Sequence, residues 1–268
     1  MFEIISILSI VIGIALFFVI TIRQYQKTEY FKETEKPFFE MRRDKGAYGE
    51  YLIVKCLAKL NGHKRFVINA YIPKQDGGTT EIDIVMLHST GVYVFESKNM
   101  SGWIFGSEKQ PQWTQSFPNG QKFKFFNPCM QNAAHIKNLV NFCDDITNDM
   151  VVSVIVFSKR CALKKVHIET KRHIVTKRES LLLSMKTLSD NKKFDAEKID
   201  KIYEMLKAQT KTSGQVKEEH IQHVKSIQAQ QICPYCKSEL VLRTAKGTGR
   251  QFYGCSGFPK CKYTAKPK

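Results

Sequence analysis

Apolar residues run from Ile4 to Ile22 without a charge, broken only by Ser6, Ser9, Gly13 and Thr21. A bilayer core is crossed by about 20 helical residues, so the pattern predicts a transmembrane anchor over residues 1–23. A cleaved signal peptide and a buried core helix are the alternatives. Against the first, Met1-Phe2-Glu3 is acidic where a signal sequence is basic, and no small-residue cleavage site follows. Arg23 and Lys27 come after the span and nothing basic precedes it. The positive-inside rule then leaves the bulk of the chain in the cytoplasm, single-pass in the inner or cytoplasmic membrane. No other run approaches this length, and residues 24–42 read as a charged connector.

Beyond the connector the period becomes that of an amphipathic helix. Ile53, Cys56, Leu57 and Leu60 fall at i, i+3, i+4 and i+7 between Lys45 and Asn61, and Asn61-Gly62 supplies a stop. Three strand-like runs follow, Phe66 to Ile72, Glu81 to His88 and Gly91 to Lys98, the last two close enough to form a hairpin. Asn127-Pro128 opens a second helix, with Cys129, Ala133, Ile136, Val140 and Cys143 on its buried stripe and Gln131, His135 and Asn138 on another face, for which solvated surface is the leading reading and contact with phosphate or water the other. Val151 to Phe157 has the continuous apolar character of a central strand, and a short strand is expected near His173 to Thr176. Ile199, Ile202, Tyr203 and Leu206 mark one more helix. The order predicts a mixed α/β domain over residues 43–208, a polar Gln/Lys-rich linker over 209–231 and a small β-rich module over 232–268.

Glu50 precedes Ile53 by three residues and Leu57 by seven, so its carboxylate lies on the stripe that faces the core, where it must be satisfied or used. In the hairpin, side chains alternate, which puts Val92, Val94, Glu96 and Lys98 on one face. Two registers are open. With Ser89-Thr90 as the turn, paired residue numbers add to 179 and Asp83 stands opposite Glu96; with Thr90-Gly91 they add to 181 and Asp83 faces Lys98. Either way Asp83, Glu96 and Lys98 share a face. Opposed carboxylates repel, and Glu50 adds a third. Lys98 supplies one positive charge, and a divalent cation such as Mg²⁺ or Mn²⁺, held through oxygens with substrate phosphate and water, is the natural supplier of the rest.

Composition sharpens this. The chain has 42 Lys+Arg against 25 Asp+Glu, a formal charge of +17, with 43% hydrophobic residues. That is too apolar for a disordered chain and basic enough to seek polyanions. Basic pairs at Lys159-Arg160, Lys164-Lys165, Lys171-Arg172 and Lys177-Arg178 could guide a nucleic-acid backbone. Trp103, Phe105, Trp113, Phe117, Phe123, Phe125 and Phe126 alternate with Lys109, Lys122 and Lys124; core packing is the leading reading and base stacking the other. Neither G-x-S-x-G nor a placed Cys/His pair offers a covalent nucleophile. Cys56, Cys129, Cys143 and Cys161 lack ligand spacing and read as small core residues.

Gly49-Glu50, Thr80-Glu81-Ile82-Asp83-Ile84-Val85 and Gly91-Val92-Tyr93-Val94-Phe95-Glu96-Ser97-Lys98-Asn99, followed by Gly102-Trp103-Ile104, resemble the nuclease-related domain (NERD) family over roughly residues 43 to 180. That family belongs to the PD-(D/E)xK superfamily. The resemblance implies a restriction-endonuclease-like mixed sheet flanked by helices. It also implies that Asp83 and Glu96 hold the metal, that Lys98 orients the attacking water and steadies developing charge, and that Glu50 completes the site. Many superfamily members cut two strands as dimers, which puts a homodimer among the implied partners.

Near the C-terminus, Cys233-Pro-Tyr-Cys236 and Cys255-Ser-Gly-Phe-Pro-Lys-Cys261 are separated by eighteen residues, a spacing suited to tetrahedral structural zinc. So short a module needs such a staple. From Cys233 to Lys268 it carries eight Lys/Arg and one Glu. Phe252-Tyr253-Gly254-Cys255-Ser256-Gly257-Phe258-Pro259-Lys260-Cys261-Lys262-Tyr263 resembles the zinc ribbons of type IA topoisomerases. This resemblance implies single-stranded DNA binding, with Arg243, Lys246, Arg250, Phe252, Tyr253, Lys262 and Tyr263 as candidates. A ribbon that serves only as a protein contact is the alternative.

The combined expectation is a membrane-anchored cytoplasmic Mg²⁺-dependent nuclease acting on DNA, with RNA as an open alternative substrate. Its rival is a non-catalytic, membrane-tethered DNA-binding or protein-interaction module.

Overall fold

The computed structural model describes residues 2–75, 77–186, 194–210, 232–233, 236, 238–245 and 251–265. The chain divides into two compact units, residues 1–211 and 212–268.

The first unit opens with helix α1 (Phe2–Gln26). Its window Ser9–Gln26 is long and apolar enough to span a membrane and is only 6% buried, so it is no core helix. Residues 24–42, expected as a charged connector, are instead folded onto the domain. Helix α2 (Glu29–Thr34) is capped by the Thr28 side chain, which accepts from the Phe31 N–H, and α3 (Phe38–Arg43) follows. Tyr25, Tyr30 and Met41 are buried with Ala47 and Ile53 of α4 (Lys45–Leu57). The connector reading counted the charges here; the aromatic side chains between them decide the fold, because each buried aromatic ring removes a large apolar area from water.

Strands β1 (Lys64–Pro73), β2 (Thr79–His88) and β3 (Gly91–Lys98) come next, then β4 (Gly102–Ser107), β5 (Gln112–Ser116) and β6 (Lys122–Phe126). Helix α5 (Pro128–Phe142) precedes β7 (Val151–Phe157), β8 (Cys161–His167) and β9 (His173–Lys177), and helices α6 (Leu181–Lys186) and α7 (Ala196–Ala208) complete the unit. The main sheet has the order β1-β2-β3-β7-β9. Its first three strands are antiparallel, while β7 runs parallel to β3 and β9 parallel to β7. One face packs against α4, α6 and the aromatic residues of α1 to α3; the other packs against α5 and α7. This is a mixed α/β fold.

A second sheet, β6-β5-β4-β8, was not foreseen from periodicity. It forms because β3 and β7 leave the main sheet side by side and pair again as parallel strands β4 and β8. The Ser158 N–H donates to Lys98 O at 3.0 Å and the Arg160 guanidinium donates to Asn99, tying the two crossings together. Trp113, fully buried, fills this sheet's inner face with Ile104 and Phe157. Gly106 is required there, since a Cβ would stand 2.3 Å from the Trp113 ring. The four scattered cysteines are placed as expected: Cys129, Cys143 and Cys161 are buried and Cys56 half-buried. Burial pushes the Cys129 thiol up to about 12.

The second unit carries a small antiparallel sheet of β10 (Leu240–Thr244), β11 (Gln251–Cys255) and β12 (Thr264–Ala265) beside a cysteine cluster.

Candidate active site and metal centre

The hairpin adopts the first of the two registers. Ile84 pairs with Phe95, Val85 with Val94 and His88 with Gly91, and the turn is Ser89-Thr90. The ladder ends one pair short of Asp83 and Glu96. On Asp83's other side the β1–β2 ladder also skips a pair, running from Ile68–Ile84 to Ala70–Ile82, where Asn69 takes a left-handed φ of 54°. The Asp83 side chain takes up the slack by accepting the Ser97 N–H at 2.8 Å.

Glu96 is 2% exposed. Its Oε1 accepts from Lys98 Nζ at 2.6 Å, the contact the E-x-K spacing called for. Lys98 Nζ also donates to Gln131 Oε1 at 3.0 Å. From the same helix α5, His135 brings Nε2 to 3.4 Å from Glu96 Oε2, while its Nδ1 is 2.7 Å from Thr80 Oγ1. Neither Glu96 Oε2 nor His135 Nε2 completes a hydrogen bond among the described residues, although both are buried. Asn132, between them on the helix, is spent on structure: its Nδ2 donates to Val94 O and Ser153 Oγ.

Glu50 approaches from the opposite face on α4. It is buried and accepts from Tyr30 Oη at 3.3 Å. Gly49 lets this helix come close to β3, for a Cβ there would lie 2.9 Å from Ser97 Oγ and 3.0 Å from Asn99 Cβ. Burial pushes Glu50 up to about 7; Lys36 opposes that shift and Glu81 adds to it. Asp83 is raised well above the usual carboxylate range, by burial first and then by Glu96 and Glu50. Burial alone would raise Glu96 too, but His135 and Lys98 outweigh it and hold Glu96 below its ordinary value. Asp83 thus senses both Glu96 and Glu50, and the four predicted residues converge around it.

Several contributors were missed. Glu81, held by Tyr71 Oη at 3.0 Å, adds another acid to the Glu50 side. Tyr30 lay in the supposed connector, and Gln131 and His135 lay on a helix face read as solvated. A basic cavity lined by Arg42, Lys45, Lys159, Arg160 and Arg178 opens beside Asn99, the residue after Lys98. The pair Lys159-Arg160 and one member of the pair Lys177-Arg178 thus reach the neighbourhood of the site.

The four sulfurs of Cys233, Cys236, Cys255 and Cys261 lie within 4.8 Å of one another. Cys233 and Cys261 are 3.6 Å apart at sulfur, and Cys236 and Cys255 3.3 Å. A tetrahedral zinc with bonds of about 2.3 Å spaces its sulfurs by about 3.8 Å, so the donor set fits that ion. The Gly257 N–H donates to Cys255 Sγ at 3.3 Å. Across β10 and β11, Arg243 pairs with Phe252 on one face, and Lys262 is exposed. Tyr253 and Tyr263 are half-buried against the cysteine cluster, which gives them a packing role. Lys246 and Arg250 lie outside the described residues, as does most of the expected linker.

Residues 45–158 match the family model described as nuclease-related domain. The chain carries a nuclease-related domain. Residues 230–268 match the topoisomerase DNA binding C4 zinc finger, so a zinc ribbon follows that domain. An uncharacterized protein of Bacillus anthracis is 37% identical over 133 residues, 49% of this chain and 61% of that one. DNA topoisomerase 1 of Methanocaldococcus jannaschii is 58% identical over 33 residues, 12% of this chain and 4% of the topoisomerase. The chain therefore spans less than two thirds of either relative. No solved structure matches it significantly. The match to the nuclease-related domain takes in Glu50, Asp83, Glu96, Lys98, Gln131 and His135.

Proposed function

We propose that this chain is a membrane-anchored cytoplasmic nuclease that hydrolyses DNA phosphodiester bonds with Mg²⁺ or Mn²⁺, and that its zinc ribbon binds DNA, single-stranded by preference. The observation that carries the reading is the crowded carboxylate pair: Asp83 cannot ionise comfortably next to Glu96, whose Oε2 is buried, completes no hydrogen bond among the described residues and has His135 Nε2 at 3.4 Å. A buried acid in that state wants a cation.

In this reading Asp83 and Glu96 hold the divalent ion. When bound, the ion neutralises charge on the scissile phosphate and makes water more acidic. Because burial and the neighbouring acids raise Asp83 well above the usual carboxylate range, it would take up the ion more readily as pH rises. Lys98 donates hydrogen bonds to the attacking water and to the phosphate oxygens as charge builds on them. Gln131 fixes the Lys98 ammonium, and His135 keeps Glu96 ionised. Glu50 and Glu81 extend the acidic side. The cationic cavity beside Asn99 would seat a flanking phosphate, and Arg243, Phe252 and Lys262 of the ribbon would contact DNA. The four sulfurs of the ribbon would hold structural zinc. The apolar α1 and the positive charges after it support the membrane location.

The test is cleavage of single-stranded DNA, duplex DNA and RNA with Mg²⁺, Mn²⁺ or EDTA, beside an Asp83→Ala/Lys98→Ala variant. Metal-dependent cutting that the variant lacks is expected. Salt-sensitive binding without cutting under any metal would favour the non-catalytic DNA tether instead.

A further inference from the structure

The aromatic-rich stretch after the hairpin splits in two when folded. Trp113 and Phe125 turn inward on the four-stranded sheet. Pairing fixes what turns outward. Trp103 pairs with Ser116, which pairs with Lys122; Phe105 pairs with Thr114, which pairs with Lys124; Gln112 pairs with Phe126. Across β8, Ala162 lies beside Trp103 and Lys165 beside Phe105, and the register shift between Ile104 and Phe105 leaves Lys164 as an extra residue. Its Nζ stands 6.0 Å from the Trp103 ring centroid. Trp103 is 39% exposed and Phe126 55%, Phe105 is half-buried, and Lys122, Lys124, Lys164 and Lys165 are exposed as well.

Cross-strand partners share a face, so this outer face sets aromatic rings at its middle and one end between lysines on both edges. The four strands contain no Asp or Glu at all. Among the described residues, none of these four lysines has a carboxylate partner. A sheet face of uncompensated lysines matches a polyanion, and exposed rings between them match a polyanion with flat apolar faces of its own. Neighbouring rings on one strand are about 6.8 Å apart, twice the rise per residue, a spacing that suits unstacked bases rather than a closed duplex.

We propose that the outer face of this sheet is a platform for single-stranded nucleic acid, with bases stacked on Trp103, Phe105 and Phe126 and phosphates on Lys122, Lys124, Lys164 and Lys165. The identity of the polyanion rests on the nuclease reading; the existence of the site rests on the sheet. Such platforms stack bases on sheet aromatics and track the backbone with cations.

The chain has two tryptophans, and Trp113 is fully buried, so Trp103 reports on this face alone and the ribbon contributes no signal. The full chain in nanodiscs of neutral lipid is titrated with a thymidine oligonucleotide in the absence of Mg²⁺ and Mn²⁺, reading tryptophan emission. Partial quenching is expected, absent in Trp103→Phe. Phe126→Leu should move the quenching midpoint to about tenfold higher oligonucleotide. Lys122→Ala/Lys124→Ala should also weaken it and lower the salt slope by about 1.4. Unchanged emission, equal quenching by a duplex, or a response to phosphatidylglycerol vesicles in place of the oligonucleotide overturns the proposal, the last in favour of a lipid-facing surface. Cutting is not read, so failure of the nuclease reading and failure of this one are separate results.

Discussion

The two candidate metal sites are built in opposite ways. Around Asp83 the donors come from α4, β2 and β3, held by a core that exists before any ion arrives; Ile84, Phe95 and Val94, beside the acids, are all fully buried. In the ribbon the buried side chains described are those of Cys233, Leu240 and Cys255, so the ligands themselves are most of the core. The first arrangement uses fold energy to crowd like charges, and a cation bound there would relieve the strain. The second would draw on metal binding to make a fold. A site of the first kind can be emptied and refilled as catalysis demands, whereas a site of the second kind loses its shape with its ion.

The sharpest break between them is metal removal. Cys255→Ser, or chelation of zinc, should unfold residues 232–268, since structural zinc contributes on the order of 10 kcal/mol to such modules. Amide exchange over Leu240–Thr244 should become unprotected while the melting of the first unit stays where it was. Protected amides in the zinc-free chain would make the ribbon self-supporting and end the contrast.

A smaller effect tests the charge crowding itself. Glu50 ordinarily titrates near 4.5 and is pushed up to about 7 by burial. A carboxyl with a raised pKa contributes its stability below the unfolded value and loses it as pH rises through the folded one. Without added Mg²⁺, the first unit should therefore melt at progressively lower temperature from about pH 4.5 to about pH 7, where Glu50's share of the decline levels off. Glu50→Gln should flatten that decline and stabilise the unit at pH 8 by up to about 3 kcal/mol. A wild-type melting temperature that climbs through this window would contradict the assignment.

The smallest expected change isolates positioning from chemistry. Gln131 is half-exposed and holds Lys98 Nζ, so Gln131→Ala should lower cleavage by about 10–100-fold with the fold intact. The loss should fall on kcat rather than KM, and Gln131→Glu, which can still accept from Lys98, should recover part of it. An effect on KM alone would place Gln131 in substrate binding.

Much of the candidate site was legible because strand alternation and turn length leave little freedom. Once Ser89-Thr90 is the turn, Asp83, Glu96 and Lys98 must share a face, and the helical stripe through Ile53 and Leu57 carries Glu50 inward. What periodicity could not supply was which polar helix face meets the site. Gln131 and His135 look like solvated residues until α5 is docked on β3, a tertiary fact. The second sheet escaped for a related reason: β5 and β6 are five residues each, and their aromatics are divided between two faces by pairing that no local pattern encodes. In the supposed connector, charge counting hid Tyr25, Tyr30 and Met41, whose burial is set by the neighbours they meet.

Tyr25 ends the apolar helix inside a nest of rings, 5.4 Å from Phe31, 5.5 Å from Phe38 and 5.4 Å from Tyr51, and its hydroxyl donates to Lys36 O at 2.7 Å. Mechanically this is a welded joint rather than a leash. A flexible linker would let a tethered enzyme sweep a hemisphere and dilute its own encounters over that volume. With the joint stiff, a membrane-held copy would work at one height and one tilt above the lipid, so a nucleic acid would have to be delivered to it along a narrow corridor near the bilayer.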